Sequence, residues 1–90
     1  MAGDGLQTRA AAARQAILTR LRRDWPESVD LEARHMAPLL SEAEFLDACV
    51  ALQDEGLIMY EALLVGAGPS PMLIAAVLTH KGQAAAASER

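Results

Sequence analysis

The sequence predicts an α+β domain in which three helices precede a C-terminal β-hairpin. Two observations carry that prediction. Up to Gly56, apolar residues recur at helical spacing in stripes bounded by Pro26, Pro38 and Gly56. After Gly56, two β-compatible runs flank Gly66-Ala67-Gly68-Pro69-Ser70-Pro71, a stretch with two glycines and two prolines. The 90 residues suffice to bury one core but not two.

Residues 1–7 are small, polar and Gly-containing and read as a flexible N-terminal tail. The first helix is expected over Thr8–Asp24, with Thr8 as its N-cap. Ile17, Leu18, Leu21 and Trp25 form its buried stripe, extended by Ala10 and Ala13, and Arg9, Arg20 and Arg23 point away from it. Trp25-Pro26 ends this helix, because the residue before a proline avoids the α region. Asp30 is expected to cap a second, short helix, Leu31 to about Met36, which Pro38 ends or kinks. Ser41-Glu42-Ala43-Glu44 matches the capping box S-x-x-E and opens a third helix ending at Gly56. Phe45, Ala48, Cys49 and Leu52 form its inward stripe. Leu57–Val65 and Met72–Thr79 are the hairpin strands. Residues 83–90 are Ala-rich and read as a short C-terminal helix or a tail.

Composition narrows the function classes. Hydrophobic residues make up 52% of the chain, but 19 of them are alanine and only three are aromatic, which favours helix over sheet. A net charge of −4 argues against a generic binder of nucleic acid or of acidic membrane surfaces. One cysteine excludes an internal disulfide framework and fits a reducing cytoplasm, where the chain is expected to reside. No apolar run approaches the roughly 18 residues of a membrane span. Met1–Leu6 lacks the charged start and apolar stretch of a signal peptide.

Two local motifs sharpen the fold. Leu52-Gln53-Asp54-Glu55-Gly56-Leu57-Ile58 resembles the L-x-x-x-G-L-I that ends a recognition helix and starts a wing. Val77-Leu78-Thr79-His80-Lys81-Gly82 resembles the v-L-T-x-x-G that closes the wing. Together with the order of elements, these resemble the winged helix-turn-helix domain of MarR-type bacterial regulators, over roughly Arg14 to Gly82. The resemblance implies a winged-helix-like domain over residues 8–82, with the hairpin as wing and Thr79 able to cap the segment after it. The sequence departs from the pattern between the second and third helices, where Ala37-Pro38-Leu39-Leu40 stands in place of a glycine-containing turn. Ninety residues also leave no room for the extra dimerisation helices of MarR-type proteins.

In that family the third helix enters the major groove, where Arg, Lys, Asn and Gln contact bases and phosphates. Here Ser41–Glu55 holds five acids, Glu42, Glu44, Asp47, Asp54 and Glu55, and no Arg or Lys, so phosphates would repel it. The loop Gly66–Pro71 is equally without a basic residue. Six of the eight basic residues fall between Arg9 and Arg34, with Arg20, Arg22 and Arg23 clustered at the end of the first helix. They read as solvated residues favouring the helix's negative end. Two sharper readings stand beside that one: a candidate nucleic-acid contact, and a patch pairing with the acidic helix of another copy.

The hairpin is apolar on both faces. Alternation sets Ile74, Ala76 and Leu78 on one side of the second strand and Leu73, Ala75 and Val77 on the other. Only one face of a two-stranded wing can rest on the helices. The expected outer patch is Leu63, Val65, Leu73 and Val77, joined by Leu46, Asp47, Val50 and Asp54 of the third helix. The C-terminal segment Gln83–Ser88 could fold over it, but a homodimer or another protein is the more economical cover. The chain is therefore expected to be a non-catalytic, self-associating interaction module, with a DNA-binding transcriptional regulator as the alternative.

No chemistry is expected. Cys49 lies on a core stripe, where a thiol is structural. His35 and His80 stand far apart, and no ligand spacing such as H-x₃-H or C-x₂-C occurs, so neither metal nor cofactor is expected. Gly66-x-Gly68 does not precede a helix and fails the context of a dinucleotide loop. Asp47 and Asp54 share a helix face about 10 Å apart, but a domain this small offers no cleft for a glycosidase pair.

Overall fold

A computed structural model describes residues 2–36, 40–66 and 68–88, with side chains described from Arg9 to Ala87. The chain runs α1 (Ala2–Asp24), β1 (Val29–Glu32), a 3-10 turn (Ala33–Met36), α2 (Glu42–Asp54), β2 (Ile58–Met59), β3 (Ala62–Leu64), β4 (Met72–Leu78) and α3 (His80–Ser88). It is an α+β domain of three helices and a four-stranded antiparallel sheet, an order compatible with winged-helix topology. The three helices differ from the three expected. The second one expected is absent from the described residues, and the Ala-rich C-terminal stretch supplies α3.

The helix α1 starts at Ala2, six residues before the expected Thr8. Gly3 and Gly5 weaken that first turn, but no proline interrupts the chain before Pro26. Its buried face is Ala13, Ile17, Leu18 and Leu21. Ala10 is exposed, and Trp25, just past the helix end, is half-buried against the core. The Trp25–Pro26 peptide is cis.

The stretch expected as a second helix is strand and 3-10 turn. Val29-Asp30-Leu31-Glu32 alternates with period two, and β4 offers it a backbone edge. Asp30 does not cap a helix; its Oδ1 accepts the backbone N–H of Ala75 at 2.8 Å. The turn is tied to the far end of the hairpin loop, where the Ala33 N–H donates to the Pro71 carbonyl at 2.8 Å. The expected break at Pro38 lies outside the described residues, as does most of the glycine-free turn.

The helix α2 forms as its local signals require. The Ser41 side chain accepts from the Glu44 N–H at 3.1 Å, and the Glu44 carboxylate accepts from the Ser41 N–H at 2.9 Å. Phe45, Ala48, Cys49 and Leu52 are all buried. At the other end Gly56 adopts φ +77, its N–H donates to Gln53 O, and the Leu57 N–H donates to Leu52 O, both at 2.9 Å. That pair of bonds is a Schellman motif, which needs the left-handed residue glycine supplies.

Strand β4 is the centre of the sheet, with β1 on one edge and β2 and β3 end to end on the other. At Ala75 it bulges. Ala75 has φ +54, and the β1 register shifts between Val29 and Leu31. On the opposite edge the expected long strand Leu57–Val65 is broken at Tyr60 and Glu61. The bulge resets the side-chain alternation. Leu73, Ala76 and Leu78 face the core, where plain alternation sets Ile74 beside Ala76 and Leu78.

Candidate interaction surface

The two sequence motifs meet in space and lock the hairpin to the helices. Thr79 donates its N–H to the Leu57 carbonyl at 3.0 Å and its Oγ1–H to the Gly56 carbonyl at 2.6 Å. The same Oγ1 accepts the Gly82 N–H at 2.9 Å, which caps α3. Lys81 Nζ donates to the Glu55 carbonyl at 2.9 Å. The indole Nε1–H of Trp25 reaches the Leu78 carbonyl at 3.1 Å. Gly82 is seated against the backbone of Leu57, where a Cβ would stand 1.8 Å from the carbonyl oxygen. The glycine of v-L-T-x-x-G is therefore a close-approach residue.

This clasp fixes which face of the sheet is covered. The side chains of directly opposed residues share a face. Ile58 with Leu78 and Leu63 with Leu73 form the inner face, against Ile17, Leu21, Phe45 and Leu52 of the core. Met59 with Val77, Ala62 with Ile74, and Leu64 with Met72 form the outer face. Glu32, opposite Met72 on the other edge, is the acid of that face. Met59 is 60% exposed and Leu64 41%, and Val65, just beyond β3, is 62% exposed. The helix α3 buries Ala86 in the core instead of lying over the outer face.

The residues expected to form the interface separate accordingly. Leu73 is fully buried and belongs to the core, a correction that follows from the bulge at Ala75. Leu63 is half-buried and packs inward opposite it. Val77 stays on the outer face, half-buried, and Val65 is open. On α2, Leu46 packs partly against the core, whereas Asp47, Val50 and Asp54 are exposed. Met59 and Leu64 lie open on the outer face without being among the residues expected there. A Glu61 at the strand break was the one hint of a phase change.

Charge is distributed so that α1 neutralises part of α2. Arg9 pairs with Glu44, and Arg14 forks onto both oxygens of Glu55. The Arg9 hydrogen bond, followed by that of the Ser41 backbone, holds the Glu44 carboxyl below its ordinary range, and Arg14 does the same for Glu55. The remaining α2 acids Glu42, Asp47 and Asp54 are exposed. Among the candidate nucleic-acid contacts, Arg20 is bound to Asp24, while Arg22 and Arg23 are exposed with no ion-pair partner among the described residues. These three arginines line a shallow concavity with Ala16, Thr19 and Met36.

Burial alone pushes the Cys49 thiol up to about 12, and the residue has no exposed surface. His80 meets the Trp25 ring edge to face at 5.9 Å, and His35 lies 3.4 Å from Glu32 on the surface. Among the described residues no three His, Cys, Asp or Glu side chains are grouped to hold a metal ion, and no helix is long and apolar enough to cross a membrane. No family model, curated protein or solved structure matches this chain.

Proposed function

We propose that this chain is a non-catalytic, winged-helix-like interaction module that self-associates as a homodimer through the outer side of its hairpin. The observation that carries this reading is the outer face itself. Met59 and Leu64 stand open there, linked through Val77, Ile74 and Met72, while the core helices take the other face. A connected apolar patch is a different matter from scattered surface hydrophobes and marks a contact site. The winged-helix reading rests on the order of elements, with the 3-10 turn Ala33–Met36 standing where a second helix is expected, and on the meeting of the two motifs at Thr79.

Sedimentation velocity across a concentration series tests the proposal. The wild type should shift from monomer to dimer, and Leu64→Asp with Val65→Asp should remain monomeric with an unchanged circular dichroism spectrum. Salt adds a second criterion. Two copies each carrying −4 repel, so added salt should strengthen the dimer. A wild type that stays monomeric up to about 1 mM, the weak limit of useful affinity, overturns the proposal.

A second reading, a DNA-binding transcriptional regulator, is favoured by one observation: Arg22 and Arg23 are exposed and unpaired among the described residues, beside Arg20. It requires a duplex to approach the end of α1, because α2 presents acids. Fluorescence anisotropy of a mixed-sequence duplex at low salt separates the readings. Binding that weakens with salt, and is lost in Arg22→Glu with Arg23→Glu, supports this one.

A further inference from the structure

We infer that the concavity between the second half of α1 and the 3-10 turn Ala33–Met36 is a binding site for a small phosphate ester with an apolar body. The site goes beyond the self-association reading and shares no residue with the outer face of the hairpin. The chain carries 12 acids against 8 basic residues, so acceptors for a basic side chain are in excess. Arg9 is bound to Glu44, Arg14 to Glu55, Arg20 to Asp24 and Arg34 to Glu32, and Lys81 donates to the Glu55 carbonyl. Of the described arginines, Arg22 and Arg23 alone have no acid, and they stand exposed side by side.

Those two side chains rim a concavity of about 660 Å³, lined also by Ala16, Thr19, Arg20 and Met36. Ala16, Thr19, Arg20 and Arg23 fall on one face of α1, because residues three and four apart are neighbours on a helix. Met36 closes the far side from the end of the 3-10 turn, half-buried against the core. Each part has a chemical use. Arg22 and Arg23 offer forks of N–H donors that match phosphate oxygens. Arg20 is neutralised by Asp24, so two free positive charges face the roughly −2 of a phosphate monoester. The exposed Thr19 hydroxyl is a further donor. Ala16 and Met36 supply an apolar floor, and methionine adapts its shape to what lies on it. The end of α1 opposes an anion with about half a negative charge, which two full positive charges outweigh.

Size and charge select a small molecule as the occupant. Ligand sites measure about 300–1,000 Å³, and this one lies within that range. A duplex or an acidic membrane presents a long array of phosphates, which a chain of net charge −4 with Glu42, Asp47 and Asp54 exposed repels. A single phosphate feels mainly the two arginines beside it, because charges beyond about 10 Å are screened at moderate salt. The groove between α1 and α2 makes the contrast. Its volume is about 280 Å³, and its Arg9 and Arg14 are already held by Glu44 and Glu55.

NMR titration of the intact chain with phenyl phosphate tests the site, with inorganic phosphate and a mixed-sequence duplex as comparison ligands. Phenyl phosphate should bind with Kd at or below about 1 mM and more weakly as salt rises. It should shift the amides of residues 16–24 and of Ala33–Met36. Inorganic phosphate should bind about tenfold more weakly, since it leaves the apolar floor uncovered. Arg22→Gln with Arg23→Gln keeps good helix formers at two exposed positions. It should weaken phenyl phosphate by about tenfold or more with an unchanged circular dichroism spectrum, whereas Arg9→Gln should not weaken it. Those results together support the site. No amide shift at about 10 mM phenyl phosphate overturns it. Shifts that persist in the double variant place the ligand elsewhere and overturn it too. A duplex that binds where phenyl phosphate does not overturns the small-ligand inference and gives the two arginines to the DNA reading. Dimerisation is decided separately by sedimentation, so either reading can fail alone.

Discussion

Replacing Gly82 by alanine tests the clasp that joins hairpin to helices. In a helix this exchange ordinarily stabilises, by about 1 kcal/mol, because alanine loses less backbone freedom. Here the new Cβ would lie 1.8 Å from the Leu57 oxygen, 2.8 Å from its carbonyl carbon and 3.2 Å from its Cα. Ordinary contact begins near 3.4 Å, so α3 and Leu57 must separate by about 1.5 Å. Neither side yields cheaply: the contacted atoms are all backbone, and the Leu57 side chain is buried. Separation loosens the two Thr79 bonds that cross to Leu57 and Gly56. At about 1 kcal/mol each, with overpacking of about 1–3 kcal/mol added and the helix gain subtracted, the net loss is about 2–4 kcal/mol. For a domain of this size that lowers Tm by roughly 8–32 °C. Urea unfolding followed by circular dichroism measures it, with Gly68→Ala as control, since a Cβ there meets nothing within 4 Å. A Gly82→Ala protein as stable as the wild type would refute the close approach and the clasp built on it.

The same geometry sets other outcomes. Ala75→Gly should stabilise by about 0.5–1 kcal/mol in the same unfolding assay, because alanine at φ +54 costs about 1–2 kcal/mol and glycine returns part of that as chain entropy. Leu73→Asp should abolish folding, visible as loss of the circular dichroism signal, whereas Met59→Asp should leave the fold intact, since Leu73 is buried and Met59 is open. The carboxyls of Glu44 and Glu55 are held below their ordinary range, so their contribution to stability is complete above the unfolded-state value of 4.5 and is lost as pH falls through the lowered folded values. Glu44→Gln should therefore flatten the acid side of a stability–pH curve. Cys49 should react with a thiol reagent only at the rate at which the chain opens, because the thiol is buried and raised to about 12; reaction in the fully folded protein at the rate of a free thiol would contradict its placement.

How much was legible in the sequence depends on the range of the cause. The third helix expected, α2, was readable in full, because its capping box, its stripe and its Gly56 terminator are set by residues within five positions of each other. The end of α1 at Trp25-Pro26 and the run of β4 were readable for the same reason, whereas the first hairpin run is broken at Tyr60 and Glu61. Thr79 and Gly82 were visible as a motif, but their partners, the backbones of Gly56 and Leu57, lie more than 20 residues away.

Pairing and face were decided by the tertiary structure alone. Asp30 is a good helix cap by itself; it forms strand instead because β4 presents an edge and the Ala75 N–H needs an acceptor. Ala75 looks like any alanine in a strand, yet its left-handed backbone resets the alternation and sends Leu73 into the core. The open surface therefore holds Met59 and Leu64 beside Val65, in place of Leu73 and Leu63. Composition and local spacing determine α2, the end of α1 and that the hairpin is apolar on both sides. Which side meets water is a register, and a register is chosen by strands far apart in the chain that must satisfy one another's backbone groups.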